Sequence, residues 1–282
     1  MTTKERSWIA TAAVAAVCFT STTPAQSKEA GWKPLFNGTN LDGFYIFLGK
    51  GPKNADPNHY VQIEGGVLHM YRGKPDGSAQ LFGYLSTESE FENYHLRFEY
   101  QWGTNRFGSR ATAKRDAGVI YHMFGNDTVW PNGVECQVQE GDVGDIFTVN
   151  TRVATTVDSA TTNVTTFTMT NAAGIISTNS RIAPTYLDAG RGGVLFQQGV
   201  ANSIRRVMRG QMQEHDGWNT VEVVVRGDEA THIVNGRTNN FTGKMERFAG
   251  GKWQPLTKGK IIFQLEGAEV FYRNLELKDL PR

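Results

Sequence analysis

The chain has 282 residues, which is long enough for a sizeable hydrophobic core, and all-β domains of this length are commonly single. Its 29 Lys and Arg nearly balance its 28 Asp and Glu, so the net charge of +1 provides no field that would attract nucleic acid or an acidic membrane surface. The 31 glycines and 11% aromatic residues favour short strands and tight turns over a helical bundle. The composition therefore predicts one all-β domain with a neutral partner such as a sugar.

The first 25 residues have the features of an export signal. Lys4 and Arg6 precede an apolar run over residues 8–19, which is followed by small residues up to Ala25. The run is shorter than the roughly 20 residues that a transmembrane helix needs. We predict a signal peptide over residues 1–25, a linker over 26–30, and an exported domain over 31–282. This domain would be periplasmic or extracellular, with no membrane contact after cleavage.

The two cysteines of the chain fall on either side of the predicted cleavage site. Cleavage would remove Cys18 and leave Cys136 without a partner for an internal disulfide. We therefore expect the hydrophobic core alone to stabilise the domain.

Strand-like segments recur along the whole predicted domain. Residues 59–63 and 67–71 flank a Glu-Gly-Gly turn and predict a hairpin. Residues 94–102 alternate between apolar and polar side chains, as in a half-buried strand. Further strands are predicted over residues 117–124, 133–139, 218–226, 230–235, 260–266 and 269–278. Strand character near both ends of the domain predicts that residues 31–48 and 269–282 are neighbours.

The pattern loosens between residues 148 and 213 into a Thr-, Asn- and Gly-rich stretch. We predict a loop-rich insertion that contains two or three irregular strands. A lid that closes over the substrate is the functional alternative.

The segment from Val134 to Asp142 has the strongest signal for a functional site. A period of two separates its side chains into two faces, Glu135, Gln137 and Gln139 against Val134, Cys136 and Val138. Cys136 is therefore predicted to be a buried core residue and not a nucleophile. Glu140 would fall on the core face, where an unpaired carboxylate is costly. A β-bulge near Gln139 would return it to the Glu135 face.

With such a bulge, the segment is similar to the Glu-x-Asp-x-x-Glu strand of laminarinase-type β-glucanases, with Gln137 in place of the middle Asp. Glycoside cleavage by two carboxyl groups needs an acid and a base or nucleophile, about 5 to 9.5 Å apart. Glu135 and Glu140 are the candidates for this pair. Alternatively, both are solvated carboxylates without a catalytic role.

The predicted strand over residues 117–124 offers further polar candidates. His122 titrates near neutral pH and is either catalytic or a hydrogen-bonded structural residue. Arg115 and Asp116 precede the strand and are suited to bind sugar hydroxyls, although pairing with each other is the favoured interpretation. In a later hairpin, Asn235 and the following glycine predict a type I′ turn.

The C-terminal strands and the tryptophans supply candidate substrate contacts. Gln264 and Glu266 share one face of a strand whose other face is apolar. Arg273 lies among apolar residues, so it is either paired or lines a cleft. Trp130, Trp218 and Trp253 are candidates for stacking on sugar rings, although two of them are expected in the core or at a rim.

Motifs of several enzyme classes are absent from the sequence. It has no Gly-x-Ser-x-Gly, Walker loop, Rossmann glycine fingerprint or dense His and Cys spacing. Hydride, phosphoryl and zinc chemistry are therefore disfavoured, and we predict no cofactor and no catalytic metal. The sequence does not decide whether a structural calcium ion is bound.

Six short blocks occur in an order that identifies a family. They are Gly31-Trp-Lys-Pro-Leu-Phe-Asn-Gly-Thr-Asn-Leu-Asp-Gly43, Asp116-Ala-Gly-Val-Ile-Tyr121, Val134-Glu-Cys-Gln-Val-Gln-Glu-Gly-Asp-Val-Gly-Asp145, Gly217-Trp-Asn-Thr220, Val234-Asn-Gly236, and Phe263-Gln-Leu-Glu-Gly267 with Phe271-Tyr-Arg-Asn-Leu275. Together they resemble the 3-keto-disaccharide hydrolase domain family, long called domain of unknown function 1080, over essentially the whole predicted domain. Where a Ser-Gly-Ile/Leu-Tyr-hydrophobic-Arg strand is common in the family, this chain has Ala117-Gly-Val-Ile-Tyr-His122. Either His122 replaces the expected Arg or the register is shifted.

The resemblance implies a concanavalin A-like jelly-roll sandwich of two antiparallel sheets that hydrolyses glycosides oxidised at sugar C3. A 3-keto group acidifies the C2 hydrogen, so proton abstraction, loss of the C1 substituent and hydration can follow. We expect Glu135 to be the base and Glu140 or His122 the acid, although the two roles are interchangeable. The expected binding or enolate-stabilising groups are Gln137, Gln264 and Arg273, with Arg115, Glu266 and Trp130 as further substrate contacts.

Two other functions stay open at this point. A hydrolase of ordinary β-glucans is disfavoured by Gln137, because the middle Asp of that motif tunes its neighbours. A non-catalytic sugar-binding module is the stronger alternative, because folds of this kind also bind sugars without cleaving them.

Overall fold

A computed structural model of the chain describes residues 30–162, 165–170, 176–181 and 184–281. The predicted signal peptide lies outside these residues. Apart from three short 3₁₀ helices at Gly108–Arg110, Ser159–Thr161 and Ala189–Arg191, the regular structure of the described residues consists of strands. None of the helices in this part of the chain is long and apolar enough to cross a membrane.

Twenty strands follow one another along the described part of the chain. They are β1 (Trp32–Pro34), β2 (Phe44–Leu48), β3 (Val61–Glu64), β4 (Val67–Met70), β5 (Gly83–Thr87), β6 (Asn93–Arg106), β7 (Asp116–Phe124), β8 (Asn132–Gln139), β9 (Ile146–Val149), β10 (Thr151–Val157), β11 (Thr165–Thr170), β12 (Ile176–Arg181), β13 (Val194–Gln198), β14 (Ile204–Val207), β15 (Asn219–Arg226), β16 (Glu229–Val234), β17 (Arg237–Ala249), β18 (Lys252–Pro255), β19 (Lys260–Leu265) and β20 (Ala268–Asp279).

Two antiparallel sheets form the domain. The eleven-stranded sheet has the order β13-β10-β17-β16-β15-β6-β20-β4-β3, with β1 paired to β20 and β18 paired to β17. The seven-stranded sheet has the order β14-β9-β8-β7-β19-β5-β2, and β11 and β12 form a separate hairpin. The fold is thus a single, all-β, jelly-roll-like sandwich, as predicted.

Side chains from both sheets meet in the core. Phe98 and Tyr272 of the eleven-stranded sheet each pack edge to face against Phe263 of the seven-stranded sheet, with ring centroids 5.5 Å apart in both pairs. Cys136 is free and buried in the same core, and burial raises the pKa of its thiol. This confirms the prediction that it is a core residue. The core covers one face of each sheet, and we call the opposite face the outer face of that sheet.

Several predicted local structures are confirmed. β3 and β4 pair as the predicted hairpin, and β1 pairs with β20, so the two ends of the domain are neighbours. Asn235 and Gly236 both have positive φ, of 49° and 74°, as a type I′ turn requires.

The segment over residues 148–213 is more regular than predicted. β10 and β13 extend the eleven-stranded sheet, and β14 extends the seven-stranded sheet. β10 alternates regularly and buries Thr151, Val153, Thr155 and Val157. Two of these are threonines, so the inward face of the strand does not stand out as apolar in the sequence. The prediction of a largely irregular stretch was therefore wrong for these strands.

The predicted β-bulge near Gln139 is also wrong. β7 and β8 pair without interruption from Asp116 opposite Gln139 to Tyr121 opposite Val134, and the register shifts only beyond Tyr121. β8 ends at Gln139, and the chain then turns at Gly141, whose φ is 76°. Glu140 leaves the sheet because the strand ends, so no bulge is needed to keep its carboxylate out of the core.

Candidate active site

The candidate active site lies on the outer face of the seven-stranded sheet, where strands β8, β7 and β19 are neighbours. Glu135 pairs with Ile120, and Gln137 pairs with Gly118. Val134 points into the core, so strand alternation directs Glu135 to the outer face.

Gly118 lies at the centre of this face, and because it has no side chain, the ends of Glu135 and Gln264 approach its backbone closely. A Cβ atom at this position would lie 2.1 Å from Oε1 of Glu135 and 2.2 Å from Oε1 of Gln264. Both oxygens are buried, and neither has a hydrogen-bond partner among the described residues. Two polar oxygens therefore converge on one point without a protein donor, which is costly in a folded protein that binds nothing there.

Two further carboxyl groups border this point. Asp116 accepts a hydrogen bond from Nε2 of Gln139 at 2.7 Å, and its Oδ1 is buried without a partner. Arg110 forms ion pairs with Asp116 and with Glu266, at 2.8 Å from the latter. We call Asp116, Glu135 and Glu266 the carboxyl cluster. Among the described residues, Arg110 is the only basic side chain that forms an ion pair with any of its members.

The cluster shifts the acidity of its own members. Burial, and then the charges of Glu266 and Asp116, raise the pKa of Glu135 well above its usual value, whereas Arg110 opposes this shift. Burial and the charge of Glu266 raise the pKa of Asp116 to about 7, again against Arg110. Carboxyl groups with such pKa values are suited to exchange protons with a substrate near neutral pH.

Trp130 lies at the rim of the cluster. Its Nε1 donates a hydrogen bond to Oε1 of Glu266 at 3.1 Å, and Phe82 packs against the ring edge to face. The residue is 47% exposed, which is unusual for so large an aromatic side chain. Trp130 is thus tethered to the cluster by its polar edge while part of its apolar ring stays open to a ligand.

The structure brings together five of the side chains predicted for the site. They are Glu135, Gln137, Gln264, Glu266 and Trp130. Within this group, Gln137 is buried, and its Oε1 accepts a hydrogen bond from the backbone of Val138 at 3.0 Å.

Glu140 has different partners from Glu135. Its carboxylate forms ion pairs with Arg115 at 2.8 Å and with Arg106 at 3.3 Å. The hydrogen bond from Arg115 lowers the pKa of Glu140, so this group is ionised near neutral pH. It is therefore poorly suited to the predicted role of proton donor.

His122 points toward the eleven-stranded sheet. Its backbone has a φ of 54° at the register shift in β7, and its Nε2 contacts the carbonyl oxygen of Gly227 at 2.8 Å. Its ring also packs against Tyr94 of β6. Burial lowers the pKa of His122 to about 4. The contacts and the pKa are those of a neutral histidine inside the sandwich, on the other side of the sheet from Glu135.

The two predicted arginines lie outside the carboxyl cluster. Arg115 does not pair with Asp116, as we had favoured, because successive residues project from opposite sides of the chain. It pairs with Glu140, and Asp116 pairs with Arg110. Arg273 pairs with Glu99 on the outer face of the eleven-stranded sheet, where it also stacks on Trp218.

Sequence reasoning missed two residues of this site, Arg110 and Gly118. Arg110 follows the long strand β6 in a segment without apolar periodicity, so no sequence signal places its side chain near Glu266. Gly118 lies inside a predicted strand. A glycine within a strand can indicate that other groups approach its backbone closely, and this was the one signal in the sequence that could have identified it. No group of three or more His, Cys, Asp or Glu in the described part of the chain is arranged to hold a metal ion.

Comparison with solved structures finds proteins with a similar fold. A proposed glycosyl hydrolase from Parabacteroides distasonis superposes with a TM-score of 0.50 at 17% identity, covering 89% of this chain and 94% of that one. The carbohydrate-binding module CBM66 from Bacillus subtilis gives 0.41 at 8% identity, covering 88% and 96%. A β-glucanase from Bacillus licheniformis gives 0.39 at 10% identity, covering 89% and 97%. At these identities the likeness concerns the fold alone.

Comparison with curated proteins gives no match. The family comparison does, over residues 31–278, which include every strand from β1 through β19 and all but the end of β20. The match confirms the family that the six sequence blocks indicate, and it contains the whole carboxyl cluster. The chain belongs to the family described as the 3-keto-alpha-glucoside-1,2-lyase-like domain.

Proposed function

We propose that this protein cleaves glycosides whose sugar ring carries a ketone at C3, with Glu135 as the base that removes the C2 hydrogen. The observation that carries the proposal is the buried Oε1 of Glu135, which lies over Gly118 without a hydrogen-bond partner among the described residues. Family membership supports the substrate class, because the family description names a 3-keto-alpha-glucoside and a 1,2-lyase, which is an enzyme that eliminates a group across two neighbouring carbon atoms.

In the first step, the carboxyl cluster removes the C2 hydrogen of the substrate. Glu135 takes the C2 hydrogen as a proton, and the electron pair moves to the C3 oxygen, which becomes an enolate. Only the ionised form of Glu135 acts as the base, and because burial and the neighbouring carboxylates raise its pKa, that form takes up a proton more strongly than an exposed carboxylate does. The guanidinium of Arg110 is a nearby donor for stabilising the enolate oxygen. Gln264 presents its Oε1 over Gly118, so its N–H groups serve this role only after its side-chain amide turns over.

The second step requires a proton donor. As the enolate re-forms the ketone, the bond from C1 to the leaving oxygen breaks and a C1–C2 double bond forms. We assign the proton for the leaving oxygen to Asp116, because a pKa of about 7 leaves this carboxyl group partly protonated near neutral pH. This replaces the expectation for Glu140 and His122, which make other contacts.

Hydrolysis is completed when water adds across the double bond. As the leaving group departs, Glu135 exchanges the abstracted proton with solvent. Asp116 then takes a proton from water, whose hydroxide joins C1, and Glu135 delivers a solvent proton to C2, so the product is the free 3-keto sugar and both carboxyl groups return to their starting forms. If water does not add, the unsaturated ketone is released and the protein acts as a lyase, with Glu135 losing its proton to solvent and Asp116 gaining one from it.

The test is substrate selectivity. Purified protein is incubated with methyl 3-keto-glucoside and, separately, with unoxidised methyl glucoside, and release of methanol is measured. We expect release from the ketone only. Absence of release from both substrates, or release from the unoxidised glucoside, would contradict the proposal.

We further propose that the protein is exported before it acts, on the basis of the predicted signal over residues 1–25. N-terminal sequencing of the protein from the periplasm or culture medium should begin after Ala25. Recovery of the intact N-terminus from the cytoplasm would contradict export.

A further inference from the structure

The outer face of the eleven-stranded sheet contains a hollow that the proposed reaction does not use. Its volume is about 300 Å³. Its lining consists of Glu64, Val67, His69, Gln101, Trp218 and Phe271. We call it the aromatic hollow. It lies on the opposite side of the sandwich from the carboxyl cluster, because the two sites occupy the outer faces of different sheets.

The strand register places two aromatic rings on either side of one amide. Phe271 pairs with Gln101 across β20 and β6. Asn219 pairs with Tyr100, so Trp218, the residue before it, lies beside Gln101 on the other side. Adjacent strands are about 4.8 Å apart, so the backbones that carry the two rings are separated by roughly 10 Å. This separation accommodates one sugar ring above the Gln101 side chain.

Neighbouring polar groups hold both aromatic rings in place. The ring of His69 packs on Phe271 with centroids 4.1 Å apart, and Nε2 of His69 contacts Oε1 of Glu269 at 2.7 Å. The guanidinium of Arg273 lies 3.9 Å from the ring centre of Trp218, although Arg273 does not line the hollow. Both rings are partly exposed. Side chains fixed in this way lose little entropy when a ligand stacks on them.

Polar atoms that lack protein partners lie between and beside the rings. No hydrogen bond within the described residues engages the side-chain amide of Gln101. His69 is 8% exposed, and its Nδ1 has no hydrogen-bond partner. A hydroxyl group can both donate and accept a hydrogen bond, so it suits Nδ1 in either role. A ligand for this hollow should therefore carry hydroxyl groups.

The charges around the hollow are matched. Glu64 forms an ion pair with Arg72 at 2.5 Å, and Arg273 pairs with Glu99. The carboxylate of Glu269 is hydrogen-bonded to His69 and to the backbone N–H groups of Thr104 and Asn105. The hollow therefore favours a neutral ligand over an anion or a cation, since either ion would compete with existing pairs.

We infer that the aromatic hollow is a second sugar-binding site, which holds one neutral pyranose ring between Trp218 and Phe271. A pyranose presents apolar C–H groups on its faces and hydroxyl groups around its rim. The faces stack on the aromatic rings, and the rim bonds to Gln101 and His69. The site binds sugar without cleaving it and holds the protein on a glycan while the carboxyl cluster acts elsewhere.

Binding to a panel of immobilised, unoxidised oligosaccharides of glucose, galactose, mannose and xylose tests this inference. We expect at least one member of the panel to be bound, with the dissociation constant then measured by calorimetry. W218L keeps apolar bulk but removes the flat ring and should weaken binding at least tenfold. W218F keeps a flat ring and should stay within about threefold of the wild type.

The control is W253L. Trp253 is another tryptophan of the eleven-stranded sheet, 4.5 Å from the guanidinium of Arg152, and it does not line the hollow. This variant should bind as the wild type does. No binding to any member of the panel, or equal weakening by W253L and W218L, would overturn the inference.

The same variants separate this inference from the proposed function. W218L should retain turnover of methyl 3-keto-glucoside, because Trp218 is on the opposite face from Glu135. If the wild type binds the panel but turns over no ketone, the reaction proposal fails and the sugar site stands. If it turns over the ketone and binds nothing on the panel, the sugar site fails and the reaction proposal stands.

Discussion

The acidic residues on the outer faces of the two sheets differ in how many basic partners they have. On the eleven-stranded sheet, four glutamates each contact a basic side chain within 2.8 Å: Glu99 with Arg273, Glu222 with His95, Glu269 with His69, and Glu276 with Arg97. On the seven-stranded sheet, three buried carboxyl groups lie together with one arginine in contact. No ion pair within the described residues involves Glu135.

Paired carboxylates stabilise a surface slightly, whereas crowded and buried ones destabilise a fold. A protein retains such a cluster where the raised pKa values are useful, which is typical of catalytic sites. The difference between the two faces indicates that the seven-stranded sheet carries the chemistry and the eleven-stranded sheet carries structural pairs and the aromatic hollow.

The largest expected effect is at Glu135. E135Q keeps the shape of the side chain but removes the base, so turnover of methyl 3-keto-glucoside should fall at least about 100-fold. Stability should stay equal or rise, because a neutral amide replaces a buried acid. Initial rates and thermal denaturation measure the two effects.

The matched control for E135Q is E222Q, which removes a carboxylate that contacts His95 at 2.7 Å on the other face. Its rate should remain within about twofold of the wild type. Equal rates for E135Q and the wild type would exclude Glu135 as the base.

The second effect concerns the close packing of Glu135 and Gln264 over Gly118. G118A would place a methyl group against Glu135 and Gln264, and turnover should fall at least tenfold because these side chains must move away. The cost in stability should be small, since the clashing atoms are the ends of side chains. G243A is the control, because a Cβ at Gly243 would meet its nearest neighbours at 3.7 Å. A fully active G118A would contradict the proposed geometry.

The third effect is a pH dependence of stability at Asp116. Its pKa is raised to about 7 in the folded protein, whereas that of an unfolded Asp is near 3.9. As the pH rises from 4 to 7, the unfolded chain releases this proton while the folded protein keeps it, so the wild type loses stability over this range. D116N has no titrating carboxyl group at this position, so its stability relative to the wild type should rise by on the order of 3 kcal/mol between pH 4 and pH 7.

Chemical denaturation of the wild type and D116N at pH 4, 5.5 and 7 measures this difference. A difference that is constant across the three pH values would show that Asp116 has an ordinary pKa.

The smallest effect is expected on the outer face of the eleven-stranded sheet, where the carboxylates have basic partners. E99Q breaks the pair with Arg273, whose side chains are partly exposed, and should cost less than about 1 kcal/mol of stability. Turnover should be unchanged. Urea denaturation and initial rates provide the two measurements, and a rate loss comparable to that of E135Q would remove the distinction between the faces.

Local patterns in the sequence predicted much of the fold and part of the site. Alternation of apolar and polar residues placed Glu135 and Cys136 on opposite faces, and glycine turns located the hairpins. These features depend on neighbouring residues, so a single sequence contains them. The strand β10 was not predicted as regular, because threonines occupy half of its inward positions and hide the apolar alternation.

The rest of the site depends on contacts between distant parts of the chain. Arg110 reaches Glu266 across 156 positions, and Arg106 reaches Glu140 across 34. Which cation meets which carboxylate follows from how loops cross the sheets, and no local spacing determines this. The ion pairs of Glu140 were therefore not predicted from the sequence, although the strand that precedes it was.

The most direct measurement of the central claim is the fate of the C2 hydrogen. Methyl 3-keto-glucoside is cleaved in D₂O, and the product is examined by NMR, with free 3-keto-glucose incubated without protein to correct for solvent exchange. Proton abstraction by Glu135 predicts that the released sugar has lost its original C2 hydrogen, and that E135Q releases almost none of this product. A released sugar that retains its C2 hydrogen would show cleavage by direct displacement at C1 and would contradict the claim.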